Sequence, residues 1–378
     1  MRIGYEITAV GERPSGIGTY TLELLQGLAA AEEAHEYLLL ANRSHHRDHL
    51  GQLPRVRDLW RPFPNRMLWM QLLLPRQLRA TRPDLCHFPN SLGPLDSPCP
   101  YVVTIHDMTL SLMPRHHPLR KQLLVRPLVP LVARRAARVI TVSNAARNDL
   151  VRLLRVPAER VVVIPEAAAP IFRPTSAEER RRVRAAHGLP ERYVLFVGTL
   201  EPRKNLVRLI RAWGALRARG LVAQQLVLVG APGWQYRAIY AEASQLGCAE
   251  DVIFTGYVPR ADLPGIFGAA DVFAFPSLAE GFGLPVIEAL ACGTPTLISA
   301  TAALTEVAGD AALTVDPRDI ASIRDGLERL LTDEGLRRRL RAAGLARARD
   351  FSWQRTARET LAVYRVAAAQ PAGRLASV

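Results

Sequence analysis

Short apolar runs recur along the chain, each followed by a longer segment with helical spacing of apolar residues. The runs fall at 3–10, 37–41, 101–105, 139–142 and 161–164, and again at 193–197, 226–229, 252–254, 272–275 and 296–298. Continuous apolar runs of a few residues alternating with helices predict parallel strands buried on both faces. Ten strands are too many for one ordinary doubly wound sheet, and the set divides near 168–190. There "AAAPIFRPTSAEERRRVRAAHGLPER" carries two close prolines and then a charged helix with Thr175 or Ser176 as N-cap. The expected organisation is α/β: two Rossmann-like, doubly wound parallel-sheet domains facing across a deep cleft. Their expected bounds are 1–170 and 171–355, with a C-terminal helix in 356–378 free to pack on either. In such sheets ligands sit beyond the carboxyl ends of the strands, where loops feed helix N-termini.

Composition narrows the partners. The chain has 378 residues, 49 % hydrophobic and 22 % charged, with a net charge of +14 from 49 basic and 35 acidic residues. That balance favours an anionic partner such as a phosphorylated metabolite or an anionic membrane surface. Nucleic acid is disfavoured, because aromatics are only 6 % and no basic-aromatic run or nucleic-acid-binding signature occurs. The four cysteines, Cys86, Cys99, Cys248 and Cys292, are scattered without a Cys-x-x-Cys pair. They argue against a metal site or disulfide framework and fit a reducing cytosol. No signal peptide opens the chain, and a cytoplasmic protein is expected, at most peripheral at the inner face of the cell membrane.

Several strand ends run into glycine-bearing loops. "GERPSGIGTYTLELLQGL" places Gly16 and Gly18 before a helix, where the amides and the positive dipole end suit a phosphate. An ordinary tight turn reads equally well, since the third glycine of a dinucleotide fingerprint is missing. "FVGTLEPRKNLVRLI" at 196–210 carries Gly198, Arg203 and Lys204. Lys204 is one of two lysines, with Lys121, against 47 arginines. A compact ammonium beside a planar guanidinium makes a clamp for a diphosphate, and cations at a helix start oppose the dipole unless they have a task. Gly230 and Gly233 end the 226–229 strand, and Tyr257 and Val258 follow the 252–254 strand. Backbone groups there suit a base edge or simply make turns.

"PSLAEGFGLPVIEALACGTP" at 276–295 sets Glu280 and Glu288 eight positions apart around Gly281 and Gly283. The glycines let the amides of Phe282, Gly283 and Leu284 point at a ligand, and Pro285 suits a first helical turn. Glu280 can accept bonds from sugar hydroxyls, and Glu288 can hold a ribose diol. The bland alternative is a capping acid and a solvated helix residue.

This stretch resembles the E-x7-E motif of the family 4 glycosyltransferases, retaining enzymes of the GT-B fold that use nucleotide-sugar donors. The resemblance extends over most of the chain, through "GIGTY", "VVTIHD", "VITVSNAARNDL", "VGTLEPRKN", "ADVFAFPSLAEGFGLPVIEALACGTP" and "FSW". It implies that Glu288 binds the donor ribose and Glu280 the transferred sugar, assisted by the Phe282–284 amides. Arg203 and Lys204 would neutralise the leaving diphosphate, the Gly16–18 loop would close on it, and His106 would sit by the reacting sugar. Asp107 would contact substrate or orient its loop.

Two departures stand out. Thr199 follows Gly198 where the family often has arginine, which leaves open the basic group that meets each phosphate. "EAAA" from Glu166 replaces the usual Asn-Gly. No Asp-x-Asp cluster is present, so no metal and no cofactor is expected. The donor substrate is a nucleotide-diphosphate sugar and the acceptor a saccharide or lipid-linked hydroxyl. Mannose, glucose and rhamnose are candidate sugars for a polysaccharide or glycolipid precursor. From Met108 to Asn148 there is no acidic residue among many arginines, and 66–79 is apolar on nearly every face, which suggests an anionic membrane surface or a groove for a lipid-linked acceptor. The alternatives are a nucleotide-sugar epimerase of the same fold and a non-catalytic nucleotide-sugar-binding module.

Overall fold

A computed structural model describes residues 1–51, 53–247 and 250–370, so Cys248 and the last residues of the 356–378 segment lie outside the described residues. The chain forms two compact units. Unit 1 comprises residues 1–166 and the chain from Ser352 onward, and unit 2 comprises 167–351. The breaks read from sequence, at 170/171 and 355/356, fall a few residues later.

Unit 1 holds a seven-stranded sheet of β1 (Arg2–Glu6), β2 (Glu36–Leu40), β3 (Val56–Asp58), β4 (Leu85–Phe88), β5 (Tyr101–Thr104), β6 (Arg138–Thr141) and β7 (Val161–Val163). Its order is β3-β2-β1-β4-β5-β6-β7, with every pairing parallel. Unit 2 holds β8 (Tyr193–Val197), β9 (Gln225–Val229), β10 (Val252–Gly256), β11 (Val272–Phe275), β12 (Thr296–Ser299) and β13 (Leu313–Val315). These run in the order β10-β9-β8-β11-β12-β13, again all parallel. Every residue of β4, β5, β8, β11 and β12 is buried, as expected of strands covered by crossover helices on both faces.

Three strands escaped the apolar pattern. β3 and β13 are three-residue edge strands, and β4 is four residues long with a fully buried His87 at its centre. The 3–10 run is a strand only to Glu6, and its remaining apolar residues line a loop.

Strand order reverses between β1 and β4 in one sheet and between β8 and β11 in the other. Loops leaving adjacent strands at such a point turn to opposite faces and open a crevice at the carboxyl ends.

The C-terminal helix Trp353–Ala368 belongs to unit 1. A Cβ on Gly27 would lie 3.0 Å from the Trp353 carbonyl oxygen, so helix Gly16–Ala29 approaches it backbone to backbone. The Tyr364 hydroxyl reaches His87 Nδ1 at 2.6 Å. Pro75, within the apolar 66–79 segment, is accommodated by a π-helical turn at Trp69–Leu73 that leads into helix Leu74–Thr81. Widening the helix there relieves the clash with the preceding turn. Two cysteines that are distant in sequence meet: Cys86 and Cys99 are free, buried thiols with sulfurs 3.4 Å apart.

Candidate active site

In unit 2 the loops leaving β8 and β11 flank the reversal of strand order. The first passes Gly198, makes a 3₁₀ turn at Pro202–Lys204 and enters helix Leu206–Ala218 through Asn205 in the left-handed region (φ 62°). The second runs from Pro276 to Gly283 and enters helix Leu284–Ala291, with Pro285 in its first turn. Backbone and side chain bind the loops together. The Leu278 amide donates to the Arg203 carbonyl at 2.9 Å. Asn205 Nδ2 donates to the carbonyls of Pro276 (3.0 Å) and Pro317 (2.6 Å). Asn205 was not singled out in the sequence, because its partners lie 71 and 112 positions away.

This framework brings Arg203, Lys204 and Glu280 together. Lys204 Nζ lies 2.7 Å from Glu280 Oε1, and Arg203 Nη1 lies 2.8 Å from Oε2. Arg203 also donates to the Ala279 carbonyl at 2.8 Å and pairs with Glu201 at 2.7 Å. Lys204 is 7 % exposed, and its ammonium sits 4.7 Å from the centre of the Phe275 ring. Burial pushes its pKa down, opposed by the attraction of Glu280. Burial alone would raise the Glu280 carboxyl, but the charges of Arg203 and Lys204 outweigh it and hold the carboxyl at about 2. Two cations are thus fixed side by side, a few ångströms apart, beyond the ends of two central strands. A carboxylate oxygen carries two lone pairs, so one cation does not exhaust either Glu280 oxygen as an acceptor.

The neighbouring residues divide by cause. Glu288, in the second turn of helix Leu284–Ala291, is only 6 % exposed, which removes the reading of a solvated helix residue. Gly283 caps that helix at φ 97°, and a Cβ there would lie 2.5 Å from Leu304. Phe282 is buried edge-on against Phe351, while Gly281 continues the loop and Leu284 opens the helix, where first-turn amides lack intrahelical acceptors. Gly198 and Gly230 answer to each other: a Cβ on Gly230 would fall 2.0 Å from the Gly198 carbonyl oxygen, and both have positive φ. Thr199, in the place of the family's arginine, packs against Gly233. After β10, Tyr257 is 38 % exposed and Val258 buried.

In unit 1, helix Gly16–Ala29 begins at Gly16 after the loop leaving β1. A Cβ on Gly18 would approach the Ala9 carbonyl oxygen to 2.9 Å, whereas one on Gly16 would meet nothing within 4 Å. Glycine at 18 is therefore explained by the loop folding back, and glycine at 16 is not explained by packing. His106 follows β5 and is 8 % exposed. Its Nε2 faces the Pro89 carbonyl at 2.9 Å and its Nδ1 faces Glu166 Oε1 at 2.9 Å. Tyr20 of helix Gly16–Ala29 stands edge-on to it, 4.6 Å between centroids. With an acceptor at each nitrogen, the ring is an imidazolium donating twice. Burial disfavours that charge, but the bond and charge of Glu166 override it and raise the His106 pKa. Asp107 accepts from the Thr109 amide at 2.8 Å and hydroxyl at 2.5 Å, so it orders its own loop. A further acid unmarked in the sequence is Glu6, which ends β1 fully buried, 3.4 Å from Arg66.

Comparison with known proteins identifies the family and the fold. A family model described as Glycosyl transferases group 1 matches residues 178–347, and one described as Glycosyltransferase Family 4 matches 14–170. O-antigen chain mannosyltransferase B of Escherichia coli is 33 % identical over 97 % of this chain and 100 % of its own. Serotype-specific mannosyltransferase WbdA of Escherichia coli is 34 % identical over 59 % of this chain and 28 % of its own length. Among solved structures, Anabaena HepE in complex with UDP and glucose superposes with a TM-score of 0.79 at 19 % identity, covering 97 % of this chain and 99 % of that one. Sucrose-phosphate synthase from Thermosynechococcus elongatus gives 0.76 at 23 % identity, covering 97 % and 98 %. The chain belongs to the group 1, family 4 glycosyltransferases and has their GT-B architecture of two Rossmann-like parallel-sheet domains.

Proposed function

We propose that this glycosyltransferase moves a hexose, mannose before glucose or rhamnose, from a nucleotide-diphosphate sugar to a saccharide or lipid-linked hydroxyl, with retention and without a metal. The observation that carries the reading is the buried Arg203–Glu280–Lys204 cluster at the unit 2 reversal point. The mannose preference rests on two relatives named as mannosyltransferases. Departure of a diphosphate leaves negative charge on its oxygens. An ammonium and a guanidinium already held in a dry site stabilise that charge without reorganising. Glu280 positions both cations and offers its remaining lone pairs to sugar hydroxyls, and Glu288 is assigned the ribose. Three carboxylates stand in this site: Glu201 is held by Arg203, Glu280 by both cations, and Glu288 is assigned the ribose. With all three so engaged none serves as nucleophile, and attack on the face the diphosphate leaves lets a phosphate oxygen accept the acceptor's proton. Gly16 opens space for a phosphate at the start of its helix, and acceptor recognition is assigned to unit 1.

The test is a calorimetric and thermal-shift screen against GDP, UDP, dTDP and ADP and their hexose conjugates, mannose first. A ligand bound only to the native state raises its stability by RT ln(1 + [L]/Kd). One base should dominate. Nucleotide diphosphate release should require acceptor, persist in EDTA and give a product of retained configuration. Absence of any nucleotide response would overturn the reading.

We also infer attachment to an anionic membrane surface. Among the described residues, no helix is long and apolar enough to cross a membrane. In the acid-free stretch, however, Leu119, Leu123 and Leu124 are 61–65 % exposed on helix Leu119–Leu124 beside Arg120 and Lys121. Sedimentation with phosphatidylglycerol vesicles, but not phosphatidylcholine ones, should be lost in Leu123→Glu/Leu124→Glu.

A further inference from the structure

One motif occurs twice and has no part in the site above: Arg-Arg-Arg-Val-Arg at 180–184 and Arg-Arg-Arg-Leu-Arg at 337–341. The first lies on helix Ala177–His187 and the second on helix Glu334–Ala348, both in unit 2. The fourth residue of each, Val183 or Leu340, is buried and anchors its helix. That anchoring turns the first, second and fifth residues of both motifs into one cavity of about 580 Å³. The third residues are not part of its lining, and Arg182 pairs instead with Asp262 at 2.9 Å. Two helices distant in sequence therefore present the same triplet of guanidinium groups to one space.

The charge in that space is unbalanced. Six arginines meet three carboxylates, those of Glu191, Asp271 and Glu334. Asp271 is taken by Arg192 at 3.3 Å and Gln224 at 2.8 Å, and Glu334 by Arg338 at 3.3 Å. Arg180, Arg184 and Arg337 donate to backbone carbonyls. Among the described residues, none of these three, nor Arg181 or Arg341, forms an ion pair. Like charges four apart on a helix destabilise it, and Arg180/Arg184 and Arg337/Arg341 are both such pairs. The cavity lies at the amino edge of the sheet, where Asp271 and Pro295 immediately precede β11 and β12. The Arg203–Lys204–Glu280 cluster lies past the carboxyl edge, a strand's length or roughly 16 Å away for five residues.

We propose that this cavity is a second anion site, separate from the donor site, that takes a ligand with clustered phosphate oxyanions: a diphosphate, or an ester carrying two or more phosphates. Guanidinium forks bind phosphate oxygens two at a time, and triplets from opposite walls match a ligand with phosphates on both sides. A soluble metabolite and the headgroup of an anionic lipid share this chemistry.

The experiment is titration of inorganic pyrophosphate into Lys204→Ala protein, in which the donor-site clamp is removed, with and without Arg181→Ala/Arg341→Ala. The double substitution should weaken binding at least about tenfold, while Arg339→Ala should leave it unchanged. Since the removed charges repel, the thermal midpoint should hold or rise, so lost affinity is not lost folding. A parallel arm uses phosphatidylcholine vesicles doped with cardiolipin, whose headgroup carries two phosphates, with protein carrying Leu123→Glu/Leu124→Glu. Dependence on Arg181 and Arg341 in the pyrophosphate arm assigns a soluble ligand, and in the vesicle arm alone a lipid headgroup. Equal binding with and without the two arginines in both arms, or an equal loss in Arg339→Ala, overturns the proposal.

Discussion

Each unit buries an ion pair beyond the carboxyl ends of its parallel strands, and the two pairs differ in kind. In unit 2 one carboxylate is shared by two cations, an arginine and a lysine. In unit 1 one carboxylate faces one imidazole. Glu280 stays ionised until about pH 2, so this carboxylate keeps its charge through the physiological range. His106 has a raised pKa starting from a value near neutrality, so its charge can change there. A site that must attract a diphosphate at every pH is better built the first way, and a group that orients or senses can be built the second way.

Substitutions at four positions test that contrast, from the largest expected effect to the smallest. Glu280→Ala leaves the buried Lys204 without its carboxylate and Arg203 with Glu201 alone, and should cost about 3–5 kcal/mol in denaturant unfolding. Its wild-type counterpart has a depressed folded pKa, so the stabilisation is complete above pH 4.5 and disappears as pH falls toward 2. The gap between wild type and Glu280→Gln should narrow over that range. Lys204→Ala should lower kcat by about 10²–10³ with the circular dichroism spectrum unchanged. Activity at the wild-type level would sink the diphosphate clamp.

Glu166→Gln should cost roughly 1–3 kcal/mol by weakening a charged hydrogen bond in a buried place. Here the group whose pKa is raised in the folded state is His106. The stabilisation is therefore complete below about pH 6.5 and is lost as pH rises through the folded value. Thermal midpoints at pH 5.5 and 8.5 should differ from wild type more at the lower pH. A gap that widened at high pH would mean that His106 is not the cation of the pair. Gly16→Ala should change stability by no more than about 0.5 kcal/mol, since nothing lies within reach of the new methyl. If a phosphate enters there, KM for the donor rises all the same, and an unchanged KM would assign Gly16 to an ordinary turn.

The strand ladder was legible because both sheets are parallel and buried, and such strands write themselves as unbroken apolar runs. The runs at 193–197 and 272–275 coincide with β8 and β11. The loop-to-helix entries were legible too: Ser176 accepts from the Glu179 amide as an N-cap should, and Pro285 sits in the first turn. β4 was not, since a four-residue strand with a histidine inside has no period to detect.

What the sequence determined alone was whatever acts over a few residues: the alternation of strand and helix, the glycine turns, the caps, and the presence of acids and cations at strand ends. What only the tertiary structure decided was which of these meet. Lys204 finds Glu280 across 76 positions, His106 finds Glu166 across 60, and Tyr364 finds His87 across 277. The two arginine triplets share one cavity although their first members, Arg180 and Arg337, lie 157 positions apart. Local propensity carries no record of such pairings, because burial and charge are properties of the space between elements and not of any one segment.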